Sequence, residues 1–468
     1  MHGEQGSAVM FPVPGFVIAA PASGSGKTLV TLALLRAFRN AGVRVGSFKT
    51  GPDYIDPCFH TAASGKACPN LDPWAMRPET IAAIAADITA GARPADGEGA
   101  GAGLVIGEGV MGLFDGAADG SGSTADLAIA CGLPVVLLVD AGGMADSAGA
   151  LLRGFCSHRA GLRIAGVIFN RVGGAGHRAA LARAVADLPP RLIGFLPREE
   201  DLTLPARHLG LIQAREHGAL DAFLDRAAAW VAQNLDLTAL RGIASDAAGA
   251  AAVMSAASSA DAAGDGCVLP PLGQRIAVAR DDGFAFAYPH LLDSWRIQGA
   301  EIMFFSPLAD APPPAGCDAV YLPGGYPELF AGQIAAAATF MAGLRDAAAR
   351  GLPVYGECGG YMVLGDGLID ATGVTHRMAG LLPLVTSFAS RALHLGYRRA
   401  TLAADHPFGK AGAEMRGHEF HYATIAREGP GVPLFRDVEN ARGEGLPDMG
   451  RCAGPVTGSF LHLIDRAA

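Results

Sequence analysis

Short, predominantly apolar runs recur along this chain and constrain its fold more than any other feature. In the first half they cover residues 16–20, 43–48, 104–106, 134–139 and 164–169. Stretches with helical periodicity separate them, and runs buried on both faces that alternate with helices predict a parallel sheet covered by helices on each side. A second series covers residues 275–279, 302–305, 319–322 and 353–355. We therefore predict an α/β fold with two doubly wound domains.

The length of the chain also favours two domains, because 468 residues are too many for one hydrophobic core. Residues 249–266 consist of Ala, Ser, Gly and Asp with few large apolar side chains, which is typical of a flexible linker. We predict a first domain over 1–232, a linker over 233–272 and a second domain over 273–468.

Charge and cysteine content exclude several classes of protein. The formal net charge is −9 and there is no Lys/Arg run, so a nucleic-acid partner is not expected. The apolar stretch 10–21 lacks a basic flank and is too short to span a bilayer, so we expect neither a leader nor a membrane anchor. Eight cysteines without ligand-like spacing are typical of a reducing compartment, and we expect a cytoplasmic protein.

A phosphate-binding loop is predicted at residues 21–28, Pro-Ala-Ser-Gly-Ser-Gly-Lys-Thr, between an apolar run and a helical stretch. Converging backbone N–H groups at the start of a helix suit a nucleotide phosphate. Lys27 would neutralise the outer phosphates, and Thr28 would offer its hydroxyl to Mg²⁺. Pro21 stands where the motif normally has glycine, and a chance glycine-rich turn is the alternative. The residues expected to bind ATP are Ser23, Gly24, Ser25, Gly26, Lys27 and Thr28.

Acidic side chains follow the next two apolar runs, where parallel sheets bind ligands. Because Mg²⁺ prefers oxygen ligands, we predict Asp53 and Glu108 as metal ligands beside Thr28. The alternatives are a turn-forming role for Asp53 and a helix-start role for Glu108. Other residues of these segments are expected to orient the metal or bind the substrate: Lys49, Tyr54, Asp56 and Asp115.

A second motif, Gly-Glu-Cys-Gly-Gly at 356–360, follows a short apolar run and is typical of a nucleophile elbow. Cys358 would be the nucleophile, and we expect the start of a helix behind it to lower its pKa. Gly324 and Gly325 follow another apolar run, and their N–H groups are candidates for an oxyanion hole.

Three segments resemble the cobyrinic and hydrogenobyrinic acid a,c-diamide synthase family: 51–57, 108–116 and 123–126. Members of that family amidate two carboxylates of a corrin ring, using ATP and glutamine. The first domain is similar to dethiobiotin synthetase, and the second resembles the flavodoxin-like class I glutamine amidotransferases. The resemblance covers essentially the whole chain. It implies a corrinoid acid, glutamine and ATP as substrates, with Mg²⁺, and places Asn170 near the adenine; from the residues alone, a capping role for Asn170 is equally natural.

Spacing alone does not decide which histidine serves Cys358, and His418, His421 and His462 all remain candidates. The resemblance favours His462, in the segment Gly-Ser-Phe-Leu-His at 458–462. Many class I glutaminases place a glutamate two residues after this histidine. Here that position is Ile464, and Asp465 is out of phase. A Cys–His dyad, or orientation of His462 by a backbone carbonyl, is therefore expected.

The predicted reaction is ATP-dependent amidation of the a and c carboxylates of hydrogenobyrinic acid through acyl phosphates, because the chain end at 450–464 is similar to the aerobic branch of the family. Alternatives are the same reaction on cobyrinic acid, a cobyric acid synthase, and a partitioning-type switch ATPase with a degenerate second domain. Such switches carry an additional lysine where this chain has Ala22. The state of assembly stays open, with a homodimer among the options.

Overall fold

The computed structural model describes residues 11, 13–93, 103–207, 210–211, 213–255 and 268–467. The chain divides into two compact units. The first comprises Met1–Trp74, Pro78–Gly116 and Gly120–Gly264. The second comprises Ala75–Arg77, Ala117–Asp119 and Asp265–Ala468.

Seven parallel strands form the sheet of the first unit, in the order β3-β2-β4-β1-β5-β6-β7. The apolar runs form the strands because every residue of β1 and β4 is buried, as a sheet covered on both faces requires. The strands are β1 Gly15–Ala19, β2 Val45–Thr50, β3 Asn70–Leu71, β4 Leu104–Glu108, β5 Val135–Asp140, β6 Ile164–Val172 and β7 Arg191–Pro197. A separate two-stranded ribbon is formed by β8 Ala206–Arg207 and β9 Gly210–Leu211.

Eight helices accompany these strands in the described part of the first unit. They are α1 Lys27–Asn40, α2 Asp56–Ser64, α3 Pro78–Ala92, α4 Thr124–Ala130, α5 Ser147–Ser157, α6 Ala175–Val185, α7 Leu220–Asn234 and α8 Leu237–Ser255, with a 3₁₀ turn at Ala214–Glu216. Helices α1 and α2 both start just after strand ends, where the phosphate loop and the acidic segment were predicted. The parallel α/β fold expected for this half of the chain is confirmed.

The predicted linker at 233–272 begins too early. Helix α8 occupies residues 237–255 and packs against β1, β6 and β7, with Leu240 and Ala244 fully buried. Alanine has the highest helix propensity of all residues, so an alanine-rich composition continued the helix instead of forming a loose connection. Residues 256–267 of the predicted linker lie outside the described residues.

The central sheet of the second unit has the order β11-β10-β12-β13-β23-β22. Its first five strands are parallel in the flavodoxin-like order, and β22 is antiparallel at the edge. The strands are β10 Arg275–Ala279, β11 Glu301–Phe305, β12 Ala319–Leu322, β13 Val354–Glu357, β22 Arg451–Ala453 and β23 Val456–Ser459. The helices of this unit are α9 Pro289–Ile297, α10 Ala331–Ala336, α11 Ala338–Ala349 and α12 Gly359–Leu364, with 3₁₀ turns at Pro307–Ala309 and Pro327–Leu329.

Two further sheets accompany the flavodoxin-like core, and the apolar runs did not predict them. One has the order β15-β14-β16-β19, and the other, fully antiparallel, has the order β21-β20-β17-β18-β24. Their strands are β14 Gly367–Ile369, β15 Thr375–Arg377, β16 Leu384–Ser387, β17 His394–Leu402, β18 Glu414–His421, β19 Thr424–Glu428, β20 Phe435–Asn440, β21 Gly445–Leu446 and β24 Leu461–Arg466. Strands β18 and β24 bring the three candidate histidines into this unit's core. Among the helices described, none has the length and apolar character that crossing a bilayer takes.

Candidate active sites

The loop between β1 and α1 has the backbone expected of a phosphate cradle. Gly24 and Gly26 adopt φ values of 76° and 93°, a left-handed region that favours glycine. A Cβ on Gly26 would lie 2.7 Å from Nδ2 of Asn170, so a larger residue would not fit there. The loop therefore depends on both glycines for its shape.

Lys27 and Thr28 begin helix α1 at the end of this loop. The Nζ atom of Lys27 donates to the carbonyls of Ala22 and Met111. Burial lowers the pKa of Lys27, while nearby carboxylates, Glu108 first among them, act in the opposite direction. The hydroxyl of Thr28 donates to Oε1 of Glu108 at 2.6 Å. The two residues thus present an ammonium and a hydroxyl at one helix start.

A buried lysine connects the acidic residues of this site. Nζ of Lys49 lies 2.6 Å from Oδ2 of Asp56 and 2.6 Å from Oε1 of Glu108, and 3.9 Å from Oδ2 of Asp53. Burial opposes the charge of Lys49, but the three carboxylates outweigh it and raise its pKa. Burial also opposes ionisation of Glu108, yet Lys49 and His60 hold its pKa well below the usual range. Lys49 and Glu108 therefore form an ion pair, whereas burial and the charge of Asp53 raise the pKa of Asp56 to about 7.

The structure brings Asp56, and not Asp53, against Thr28 and Glu108. Oδ2 of Asp56 lies 3.2 Å from Oγ1 of Thr28. Oδ1 of Asp53 instead accepts the backbone N–H groups of Ile55 and Asp56 at 2.9 and 3.0 Å, so this side chain shapes the turn before α2. These contacts support the turn-forming role weighed for Asp53 from sequence, and its role as a metal ligand stays a prediction.

His60 is a member of this site that the sequence analysis missed. Its Nε2 lies 2.6 Å from Oε2 of Glu108, and both side chains are fully buried. Burial opposes a charge on His60, but Cys68 and Glu108 raise its pKa to about 10. The available signal was its spacing, since Asp56 and His60 are four residues apart on α2 and face the same side.

Three other predicted residues have local partners in the first unit. Nδ2 of Asn170 donates to the carbonyl of Ser25 at 2.9 Å, which braces the phosphate loop. Oδ2 of Asp115 accepts the N–H of Gly112 at 2.8 Å and holds the loop after β4. Tyr54 is half-buried in the segment before α2. Contacts of these residues with adenine or a corrinoid stay predictions.

Cys358 occupies a strained turn in the second unit. It lies between β13 and α12 with φ 46° and ψ −102°, and its N–H donates to the carbonyl of Ser459 at 2.8 Å. A Cβ on Gly360 would lie 2.0 Å from the carbonyl oxygen of Leu322. Gly360, two residues after the nucleophile, is thus required by close packing, as a nucleophile elbow demands.

Gly324 lies where the thiol and an imidazole meet. A Cβ placed on Gly324 would be 3.3 Å from Cβ of Cys358, 3.3 Å from Nε2 of His462 and 2.5 Å from its Cε1. A Cβ on Gly359 would be 3.0 Å from the backbone nitrogen of Gly325. The structure therefore groups Cys358 and His462 with the two glycines that sequence proposed for the oxyanion hole.

The expected lowering of the thiol pKa is wrong for the resting protein. Burial raises the pKa of Cys358, and the negative charge of Glu328 adds to this effect, which outweighs the hydrogen bond from the backbone of Gly359. Helix α12 has only six residues, so its dipole is small beside the cost of burying a charge. Cys358 is a neutral thiol until a base removes its proton.

His462 has the properties of that base. It lies on β24 opposite His418 of β18 and is fully buried. Burial, together with His418 and His421, lowers the pKa of His462 to about 3, so its imidazole is neutral in the resting protein and needs a stabilising negative charge nearby to accept a proton.

Glu357, the residue before the nucleophile, faces His462 and was missed from sequence. Its Oε2 lies 3.8 Å from Nδ1 of His462. The hydroxyl of Tyr321 donates to Oε2 at 2.7 Å, and the hydroxyl of Tyr355 and the N–H of Leu463 donate to Oε1 at 3.0 and 3.2 Å. A charged residue closing an otherwise apolar strand was the available signal.

Asp465 does not substitute for the missing triad glutamate. Its buried carboxylate forms an ion pair with Arg77, which groups with the same unit, at 3.1 Å. The carbonyl of Ile464 lies 3.0 Å from Nε2 of His290. Neither residue therefore supplies the carboxylate expected two residues after His462.

The other two candidate histidines have different partners. His421 faces the carbonyl of Ala423 and Oε1 of Glu419, each at 2.9 Å, and stacks on Phe460. Burial lowers the pKa of His418 to about 3. These contacts leave His462 as the imidazole beside Cys358.

The two units match two known domain families. Residues 16–212 match the CobQ/CobB/MinD/ParA nucleotide binding domain. Residues 275–467 match the CobB/CobQ-like glutamine amidotransferase domain. The chain is thus a nucleotide-binding domain joined to a glutamine amidotransferase domain.

Full-length relatives narrow this class. A hydrogenobyrinate a,c-diamide synthase of Brucella anthropi is 52% identical over 96% of this chain and 98% of its own. Proteins of the same name from Sinorhizobium sp and Rhodobacter capsulatus are 53% and 50% identical, over 97% and 96% of this chain and 99% and 98% of their own. The chain belongs to the hydrogenobyrinate a,c-diamide synthase family.

Proposed function

We propose that this chain amidates the a and c carboxylates of hydrogenobyrinic acid, with ATP as co-substrate and glutamine or ammonia as nitrogen donor. This is a carbon–nitrogen ligase reaction of cobalamin biosynthesis. The observation that carries the proposal is the meeting of Cys358, His462 and Gly324 at one point, in a chain that also has a phosphate loop. The relatives of the same family bear the name of this activity.

The glutaminase half follows from the second unit. Sγ of Cys358 attacks the carboxamide carbon of glutamine while His462 takes the thiol proton. Backbone N–H groups of Gly324 and Gly325 stabilise the oxyanion. His462 then gives its proton to the departing ammonia, leaving a glutamyl thioester. Water hydrolyses the thioester to glutamate and restores the thiol.

The synthase half follows from the first unit. Ammonia does not displace oxygen from a carboxylate, so the γ-phosphoryl group of ATP is first transferred to it and an acyl phosphate forms. Ammonia then attacks the acyl carbon and phosphate leaves. The backbone of residues 23–28 and the ammonium of Lys27 bind the ATP phosphates and stabilise the charge of the transfer.

Mg²⁺ fits the oxygen donors at the start of α1. The hydroxyl of Thr28 and the carboxylates of Asp56 and Glu108 lie within hydrogen-bonding distance of one another or of Lys49. We propose these three as the ligands, with Asp53 holding Asp56 in place. Bound Mg²⁺ would neutralise phosphate charge.

The substrate side of the first unit is proposed from the same neighbourhood. Lys49 neutralises the acidic cluster, and Tyr54 and Asp115 are proposed to contact the corrinoid acid.

The seven cysteines of the described residues form no disulfides, which supports a reducing, cytoplasmic location.

Product masses test the reaction. Purified protein is incubated with ATP, glutamine and either hydrogenobyrinic or cobyrinic acid. Two successive replacements of hydroxyl by amino on hydrogenobyrinic acid support the proposal. Preference for cobyrinic acid would correct the substrate, and four amidations would indicate a cobyric acid synthase. Absence of any glutaminase activity would favour the switch ATPase, whereas activity lost in Cys358→Ser would exclude it.

A further inference from the structure

Glu357 is a buried carboxyl whose hydrogen bonds come only from neutral groups in the contacts described above. It is 1% exposed, and its three donors are two tyrosine hydroxyls and one backbone N–H. Burying a carboxylate is costly unless a positive charge compensates it. A carboxylate buried at this position would be stabilised by a partner that becomes positive.

His462 is that partner, because it becomes positive during catalysis. Its Nδ1 lies 3.8 Å from Oε2 of Glu357, whereas Nε2, the other ring nitrogen, lies toward Gly324. When Nε2 takes the thiol proton, the imidazolium carries a unit charge next to this carboxylate. At such a separation two opposite charges attract strongly in a buried site.

We propose that Glu357 is the positioning residue of His462, so that the triad carboxylate comes from the residue before the nucleophile. This proposal rests on the proposed glutaminase function and adds a third residue to the Cys358–His462 pair. Two residues after His462, where other glutaminases have this carboxylate, the present chain has Ile464.

The neighbours of Glu357 fix its carboxylate in the orientation that this role needs. Tyr321 on β12 and Tyr355 on β13 each hold one oxygen, and both tyrosines are fully buried. The N–H of Leu463 binds Oε1, which ties the backbone next to His462 to the same side chain. Glu357 thus acts on both the backbone position and the ring of the histidine.

Proton transfer balances without a change in Glu357. The thiol proton of Cys358 moves to Nε2 of His462 and leaves with ammonia, while the Nδ1 proton stays on the ring facing the carboxylate. Glu357 stabilises the imidazolium and never takes the proton, as in other acid–base–nucleophile triads.

The ionisation of Glu357 offers a readout of this role. Burial raises the pKa of Glu357 to about 7, against the lowering effect of its three hydrogen bonds. Its stabilising charge is therefore present above pH 7 and lost as the pH falls through 7. The titratable and charged groups around Glu357 and His462 are Tyr321, Tyr355, Cys358, His418, Glu419, His421 and Glu328.

The test is the pH profile of glutaminase activity in Glu357→Gln, which has the same shape without the charge. At pH 8 we expect kcat for glutamine hydrolysis to fall about 10- to 100-fold, with KM within about twofold of the wild-type value. This loss corresponds to a stabilisation of the His462 imidazolium by about one to two pKa units. The wild-type kcat should fall toward the variant's value as the pH drops through 7, while the variant lacks this step.

Tyr355→Phe provides a second variant with the charge intact. Loss of one donor to the carboxylate should move the acid step of kcat to higher pH. Ammonia-dependent synthesis serves as the folding control for both proteins. The proposal is overturned if Glu357→Gln keeps kcat within twofold or retains the wild-type step. Equal loss of ammonia-dependent synthesis would assign Glu357 a purely structural role, and a wild type without glutaminase activity would refute the proposed function itself.

Discussion

Nζ of Lys49 lies 2.6 Å from Oε1 of Glu108, the same oxygen that accepts the hydrogen bond from the hydroxyl of Thr28. The ammonium also bridges to Asp56, so two buried carboxylates share one positive charge. Two carboxylates held this close repel each other unless a cation lies between them. Lys49 therefore holds both side chains together at the position where we propose that Mg²⁺ binds, while burial and the charge of Asp53 raise the pKa of Asp56 to about 7.

The proposed metal ligands can be separated by a matched pair of substitutions. Asp56→Asn should lower ammonia-dependent synthesis about 100-fold. The substitution removes a charged ligand of the Mg²⁺ ion that we propose to stabilise the phosphoryl group during its transfer. Asp53→Asn keeps an oxygen that accepts the N–H groups at the start of α2, so a loss of less than about tenfold is expected. Initial rates at saturating ATP and varied Mg²⁺ measure both. A larger loss in Asp53→Asn than in Asp56→Asn would restore Asp53 as the ligand.

His60 is expected to act through Glu108. His60→Leu removes the 2.6 Å contact with Oε2 of Glu108 and leaves that carboxylate held only through Oε1, by Thr28 and Lys49. Residues that orient metal ligands typically contribute about 10- to 100-fold to affinity or activity, so the Mg²⁺ concentration for half-maximal synthesis should rise by about that factor. Glutamine hydrolysis in the same protein serves as the control. An unchanged Mg²⁺ requirement would show that His60 only packs.

The sequence predicted the phosphate loop because its chemistry is local. A strand, a glycine-rich turn and a helix start follow one another, so residues 23–28 could be assigned without knowing the fold. The choice between Asp53 and Asp56 could not be made this way. It depends on which carboxylate the first turn of α2 directs toward Thr28, a residue at the start of another helix, α1.

In the second unit, too, local features were predicted from sequence and contacts between distant segments were missed. The elbow at Cys358 is local, so its strand, its turn and its glycines could be predicted from the sequence, while the role of Cys358 as nucleophile stays a prediction. Glu357 was missed because its relation to His462 arises from strands that are distant in sequence, β13 and β24. Strands of the two further sheets such as β17 and β19 were missed because most of their residues are half-exposed or exposed and form no continuous apolar run.

Buried neutral histidines should make the second unit sensitive to acid. The pKa values of His418 and His462 are lowered to about 3, below the value of about 6.5 in an unfolded chain. The unfolded state then binds protons more readily, so each histidine's contribution is complete above pH 6.5 and is lost as the pH falls toward 3. Each should reduce the free energy of unfolding by about 1.4 kcal/mol per pH unit in that range.

His418→Gln isolates one of these contributions. The free energy of unfolding, measured by denaturant titration between pH 6 and 4, should depend less steeply on pH by about 1.4 kcal/mol per unit. The difference in slope is the diagnostic quantity, since the substitution also changes packing at every pH. An identical slope in wild type and variant would mean that His418 is protonated or solvated in the folded protein.

Gly324 is expected to tolerate no side chain. The methyl carbon of Gly324→Ala would lie 2.5 Å from Cε1 of His462 and 3.3 Å from Cβ of Cys358, closer than carbon atoms pack. Either the imidazole moves away from the thiol or the substrate's oxyanion position is blocked. Glutamine hydrolysis should therefore fall at least about 100-fold. Gly332→Ala is the matched control, because its methyl would approach no atom closer than 3.7 Å, in helix α10. That variant should keep glutaminase activity within about twofold, whereas equal activity in both variants would place the reacting thiol and imidazole elsewhere.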